Sequence, residues 1–249
     1  MLYHAARFEA FTKRMGLAVS ELCQSLKGRS VPCLSIGDGD MSILMTARHH
    51  ACESTGNYVL EGVLEEFARE LPKNTRVFCV PFVDYDGVVD GDQGKSRAPH
   101  DHNRDYTDNP IYPEVKAICE YARQYGCWYA FDFHAPWHKG GENDFIYIVR
   151  NRADRNEEYD AFAALLEKEI TPDAMQYSMK NDHPANTGWN QPSANFSFTM
   201  HNRPECALAF SLENTYFGTL DNKVSGEKLV ELGRCFARAA KKYMSCAQK

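Results

Sequence analysis

The stretch Met41-Ser-Ile-Leu-Met-Thr-Ala-Arg-His-His-Ala-Cys-Glu53 joins an apolar segment to a histidine and a carboxylate three residues apart. Its first six residues are typical of a buried β-strand, and apolar side chains recur at helical spacing over residues 60–71. His50 and Glu53 are therefore predicted to lie on the loop between a strand and a helix. That is where α/β folds place their chemistry.

A histidine and a carboxylate at this spacing can bind one metal ion together. Nitrogen and oxygen ligands of this kind suit zinc, and two histidines with one carboxylate leave a fourth position for water. The spacing of His50 and Glu53 is weak evidence alone, because such pairs occur often by chance. Residues 128–134 form a second buried strand, which ends in His134 with Asp132 on the same face. We therefore predict His134 as the third ligand.

Strand-type and helix-type segments alternate along the chain. Residues 76–83 are apolar on both faces, as in the middle of a parallel sheet. We expect a first amphipathic helix to run from Phe8 to Leu26, and residues 31–36 and 41–45 to form a hairpin around the turn at 37–40. The pattern predicts an α/β fold, with a mixed, mostly parallel central sheet and helices on both faces.

Composition limits the protein's class and its partners. A chain of 249 residues with 43% hydrophobic content is expected to form one domain over residues 1–249. A net charge of -6 gives no electrostatic reason to bind nucleic acid. We expect no membrane association and a cytoplasmic location, because we find no signal peptide and no apolar run of about 20 residues. The nine scattered cysteines, without C-x-x-C spacing, are expected to be free thiols. The oligomeric state stays open.

A long polar loop over residues 84–106 carries further chemistry-bearing side chains between the predicted strands. Connections of this length in a compact domain are usually functional or disordered, and its aromatics and paired charges favour function. The full set of motifs, in chain order, resembles the zinc metallocarboxypeptidase family and in particular its short cytosolic-carboxypeptidase-type branch. The matching segments are residues 47–53, 81–87, 101–104, 132–134 and 210–213.

The resemblance implies a carboxypeptidase A-like fold and a zinc site. It assigns His50, Glu53 and His134 as the zinc ligands. It also implies that Asp101 holds the ring of His50 through the nitrogen that does not bind the metal, which fixes the tautomer and the orientation of the ring.

The resemblance further implies how a peptide is cleaved. Glu213 is the expected general base, which takes a proton from water and passes it to the leaving nitrogen. Arg97 is expected to stabilise the negative charge of the tetrahedral intermediate. Asn103 and Arg104 are expected to hold the substrate's free carboxylate. The implied activity is zinc-dependent removal of a C-terminal amino acid from a peptide.

Two other functions are open at this point. The aspartoacylase and succinylglutamate desuccinylase group has similar metal motifs and hydrolyses the amide of a small N-acyl amino acid. A non-catalytic metal-binding or metal-free scaffold is the alternative outside enzyme chemistry. The family's Asn-Pro-Asp-Gly turn is replaced here by Asp84-Tyr-Asp-Gly87, and the position of an active-site tyrosine is not indicated.

Overall fold

The computed structural model describes residues 1–247, and its strands and helices alternate along the chain. No helix in these residues is long and apolar enough to span a bilayer. The elements, in order, are α1 (Ala5–Met15), β1 (Val19–Gln24), β2 (Ser30–Ile36), β3 (Met41–Ala47), α2 (Ser54–Arg69), β4 (Thr75–Val80), α3 (Tyr85–Asp90), α4 (Pro113–Tyr125), β5 (Tyr129–His134), β6 (Tyr147–Val149), α5 (Asn156–Glu169), α6 (Phe196–His201), β7 (Leu208–Glu213) and α7 (Gly226–Ala247).

One seven-stranded sheet, in the order β1-β2-β4-β3-β5-β7-β6, forms the centre of the fold. Strands β4, β3, β5 and β7 are parallel to one another. Strands β1 and β2 add antiparallel pairings at one edge, and β6 adds one at the other. The predicted fold class, a mixed and mostly parallel sheet, is confirmed.

Helices cover both faces of the sheet because successive side chains of each strand point to opposite sides. On β3, Ile43 and Met45 belong to an apolar core that includes residues of α1, α2, α5 and α7. Leu44, between them, belongs to a separate core with residues of α4 and α6. The central strands are thus buried on both faces, as parallel strands require.

Helices α2 and α7 approach each other closely through two glycines. A Cβ atom on Gly62 would overlap the carbonyl oxygen of Val230, and one on Gly233 would overlap that of Val59. No side chain separates the two helix backbones at these points. This packing fixes the position of α2, which begins directly after the loop that carries His50 and Glu53.

The predicted first helix is too long. Helix α1 ends at Met15, because Gly16 takes the left-handed conformation (φ 66°) and its N–H bonds the carbonyl oxygen of Lys13. The chain then turns, and residues 19–24 become the edge strand β1. The apolar spacing beyond Gly16 has a helical period by coincidence.

The predicted hairpin between β2 and β3 is wrong. Strand β4 lies between them and is antiparallel to β2 and parallel to β3. The connecting residues pack on the start of β4: the Gly39 N–H donates to the Thr75 carbonyl oxygen, and a side chain at Gly39 would overlap the backbone of Asn74. The turn at residues 37–40 therefore lets the chain pass close to the start of β4 and does not form a hairpin.

The loop over residues 84–106 is partly helical. Asp84 caps α3 by accepting a hydrogen bond from the N–H of Gly87 (2.9 Å). Asp101 caps a single 3-10 turn in the same way, accepting from the N–H of Asn103 (2.9 Å). These caps give fixed positions to residues that the sequence could only place on a long connection.

Candidate metal centre

The candidate centre lies where neighbouring parallel strands end. The loop after β3 carries His50 and Glu53, β5 ends at His134, and β7 ends at Glu213. The register of β5 and β7 places His134 directly beside Glu213. Because the chain continues from β3 to β4 on one side and later to β5 on the other, a crevice opens at this edge of the sheet.

The carboxylate of Glu53 lies between two imidazoles. The Nδ1 atom of His50 is 2.8 Å from Oε1, and the Nδ1 atom of His134 is 2.7 Å from Oε2. One donor atom from each residue lies within 4.8 Å of the others. Burial alone would raise the pKa of Glu53. His50 and His134 have the larger combined effect and hold this pKa well below its usual range. The structure thus brings together the three predicted zinc ligands.

The outer nitrogens of both histidines face carboxylates. The Nε2 atom of His50 lies 3.6 Å from Oδ1 of Asp101, and that of His134 lies 2.5 Å from Oδ2 of Asp132. Such partners fix the tautomer of a metal-binding histidine and raise its basicity. Two imidazoles and a carboxylate, with both rings held from behind, fit zinc.

A buried network behind His134 was not predicted. The Oδ1 atom of Asp132 accepts a hydrogen bond from the Thr46 hydroxyl (2.8 Å) and lies 3.0 Å from Nδ1 of His49. The Nε2 atom of His49 lies 2.8 Å from the Tyr106 hydroxyl. Burial raises the pKa of Asp132, but His134 and His49 lower it well below its usual range.

His49, Asp132 and His134 form a second group whose donor atoms could hold a metal ion. All three are buried, and their donor atoms already contact partners within the network. The group with His50 and Glu53 borders an open cavity of about 480 Å³. A hydrolytic metal needs a position open to water, so we take that group as the candidate centre.

Glu213 borders the same cavity as His50 and Glu53. Its Oε2 atom is buried and has no hydrogen-bond partner among the described residues. Burial is the main cause that raises the pKa of Glu213 to about 7. A carboxylate with a pKa near neutrality and a free oxygen is suited to accepting and returning a proton.

Arg97 is not brought to this cavity. Its guanidinium lies 2.6 Å from Asp84 and 2.9 Å from Asp92, and it borders a separate cavity of about 110 Å³. Lys95, two residues earlier, extends to the candidate centre instead, with its Nζ atom 2.6 Å from Oε1 of Glu53. Sequence spacing could not show which of the two cations turns inward.

Asn103 and Arg104 both lie near the centre but differ in availability. The Nδ2 atom of Asn103 is 3.3 Å from Nε2 of His134, and its Oδ1 atom accepts from the Phe196 N–H (3.2 Å). Arg104 is exposed, borders the cavity and donates to the carbonyl oxygen of Asn103 (3.0 Å). Among residues 1–247, no carboxylate forms an ion pair with it.

Comparison with known proteins shows similarity in fold and in sequence. A metallo-carboxypeptidase from Burkholderia cenocepacia superposes with a TM-score of 0.81 at 20% identity, over 99% of this chain and 70% of that one. A metallo-carboxypeptidase from Pseudomonas aeruginosa, in complex with (2-guanidinoethylmercapto)succinic acid, gives 0.76 at 17% identity, over 98% and 70% of the two chains. Cytosolic carboxypeptidase 2 from Danio rerio is 27% identical over 246 residues.

The match to the Danio rerio protein covers 82% of this chain and 32% of that protein. The chain thus spans about a third of the length of the first two curated relatives that it matches. No protein-family model matches the sequence. The single domain over residues 1–249 therefore stays a prediction. The resemblance to the zinc metallocarboxypeptidase family is confirmed, because the chain has the metallo-carboxypeptidase fold and is similar in sequence to a cytosolic carboxypeptidase.

Proposed function

We propose that the chain is a zinc-dependent metallocarboxypeptidase, a hydrolase that removes a C-terminal amino acid from a peptide. One observation carries this proposal: His50 and Glu53, whose donor group His134 completes, share an open cavity with Glu213, and the Oε2 atom of Glu213 is buried and has no hydrogen-bond partner among the described residues. A scaffold that only binds metal has no need of such a carboxylate. The names of the similar proteins support the same activity. The name of the Danio rerio relative, a cytosolic carboxypeptidase, supports the predicted cytoplasmic location.

Each residue then has a chemical task. His50, Glu53 and His134 would hold the zinc, which supplies the Lewis acidity that activates a water molecule and polarises the scissile carbonyl. Glu213 takes a proton from the attacking water on its free oxygen and passes it to the leaving nitrogen. Without that transfer, the nitrogen would leave as the anion of the amine (R–NH⁻), which is a poor leaving group.

The substrate is proposed to be a peptide or small amide with a free carboxylate. Arg104 is available for that carboxylate because it borders the cavity and forms no ion pair among the described residues. A guanidinium offers two parallel donors that match the two oxygens of a carboxylate. The Nδ2 group of Asn103 lies beside His134, and we propose that it adds one donor near the substrate.

Paired substrates test this proposal. The zinc-loaded protein is given a peptide with a free C-terminus, the same peptide as its C-terminal amide, and a set of N-acyl amino acids. We expect cleavage of the free peptide, at least tenfold slower cleavage of the amide, and a kcat about 10²–10⁴ lower in Glu213→Gln. A matched control is Glu157→Gln, the same change at the exposed start of α5.

Two results would overturn it. Cleavage of the N-acyl amino acids alone would favour the deacylase function. Full zinc loading with no hydrolysis of any substrate would favour a scaffold.

A further inference from the structure

Lys95 is a buried cation in the cavity that holds the candidate metal centre. Its side chain is 8% exposed, and its Nζ atom lies 2.6 Å from Oε1 of Glu53 and 3.5 Å from the carbonyl oxygen of Ala135. The indole ring of Trp137 lies 5.3 Å from the same nitrogen. Glu213 borders the same cavity. Because little water surrounds this charge, its electrostatic interactions with neighbouring groups are strong.

The backbone around Lys95 places it there. Gly94 has a φ of 82°, and a Cβ atom on it would overlap the backbone nitrogen of Ala51. The Cys52 N–H donates to the carbonyl oxygen of Gln93 (3.2 Å), which joins this segment to the loop that carries His50 and Glu53. Because the backbone at Gly94 lies this close to Ala51, the side chain of the next residue, Lys95, reaches the carboxylate of Glu53.

Arg97, by contrast, is already neutralised. Its contacts with Asp84 and Asp92 place two carboxylates around one guanidinium, and Asp84 is fully buried. Moving Arg97 to the metal centre would leave the buried charge of Asp84 unpaired, which is strongly unfavourable. Besides histidines, the cavity at the centre is bordered by two cations among the described residues, Lys95 and Arg104.

We propose that Lys95 stabilises the negative charge that develops on the carbonyl oxygen of the scissile bond, the task that the family resemblance suggested for Arg97. This inference rests on the proposed peptidase function. Water adds to the carbonyl carbon, the π electron pair moves to the carbonyl oxygen, and Glu213 takes the proton. When the C–N bond breaks, the pair returns to the carbonyl and the nitrogen takes that proton. Lys95 interacts with the oxygen while it is charged, so it lowers the barrier more than it strengthens substrate binding.

The test compares Lys95→Met with two other variants, all zinc-loaded. Lys139→Met is the matched control, since Lys139 is exposed and borders the neighbouring cavity. Arg97→Lys keeps the charge beside Asp84 and removes the planar group. For each protein we measure kcat, KM, zinc content, and the affinity for a phosphonate peptide, which carries a tetrahedral anion.

For Lys95→Met we expect kcat to fall by about 10²–10³, KM to change less than about threefold, and phosphonate affinity to fall in parallel with kcat. Zinc content should stay at the wild-type value, and Lys139→Met should match the wild type in every measurement. Loss of zinc from Lys95→Met, or a larger kcat loss in Arg97→Lys than in Lys95→Met, overturns the proposal. If the wild type cleaves nothing, the peptidase function fails, yet phosphonate affinity still tests Lys95.

Discussion

Replacing Glu213 by glutamine separates two effects that follow from its burial. The carboxyl has a pKa of about 7 in the fold, raised from 4.5 mainly by burial. Ionising it in the folded protein therefore costs roughly 3 kcal/mol more than in the unfolded chain. Because this pKa is raised, the contribution of Glu213 to the stability of the metal-free protein is fully present below about pH 4.5 and is lost as the pH rises through about 7.

Glutamine cannot ionise and so escapes this cost. Relative to wild type, metal-free Glu213→Gln should gain up to roughly 3 kcal/mol at about pH 8 and less than about 1 kcal/mol at about pH 5. In the zinc-loaded protein the same change should lower kcat by about 10²–10⁴, because the proton acceptor is gone. A variant that is more stable and has this lower kcat would show that the carboxylate is kept for chemistry.

Urea denaturation of the metal-free proteins at the two pH values measures the first effect, and steady-state peptide hydrolysis measures the second. Glu157→Gln, at an exposed position, should show neither. An equal stability change at both pH values would refute the reasoning about burial. Retained turnover in Glu213→Gln would refute the role of general base.

Further predictions concern packing and the ligand network. Gly62→Ala should lower stability by about 1–3 kcal/mol in urea denaturation, because the new methyl group meets the Val230 carbonyl. An ordinary helix position would instead gain up to about 1 kcal/mol, and that result would contradict the close packing. Asp132→Asn weakens the support of His49 and His134, so zinc affinity measured by competition with a chelator should fall about 10–100-fold. An unchanged affinity would mean that the buried network has no effect on the metal.

The sequence could predict the parts of the fold that depend on local pattern. Buried strands and amphipathic helices follow from periodicity, and the strand-to-helix loop with His50 and Glu53 follows from their order. Pairing between strands does not. Residues 37–40 have the composition of a hairpin turn. Strand β4, which comes later in the sequence, lies between β2 and β3, so these residues pass over its start instead.

The candidate site divides in the same way. His50, Glu53 and His134 are predictable because they stand at strand ends, and parallel strands bring their ends together. His49 is adjacent to His50, but its contacts with Asp132 and Tyr106 are tertiary contacts that nothing in the sequence indicates. The choice between Lys95 and Arg97 depends on how Gly94 folds against Ala51, which is a tertiary contact.

Zinc titration of the metal-stripped protein by calorimetry tests the central claim most directly. We predict one zinc ion per chain in the wild type. His134→Ala and Glu53→Ala should each remove this binding, because each deletes one ligand of the proposed centre. Absence of zinc binding in the wild type, or equal binding in all three proteins, would contradict the account.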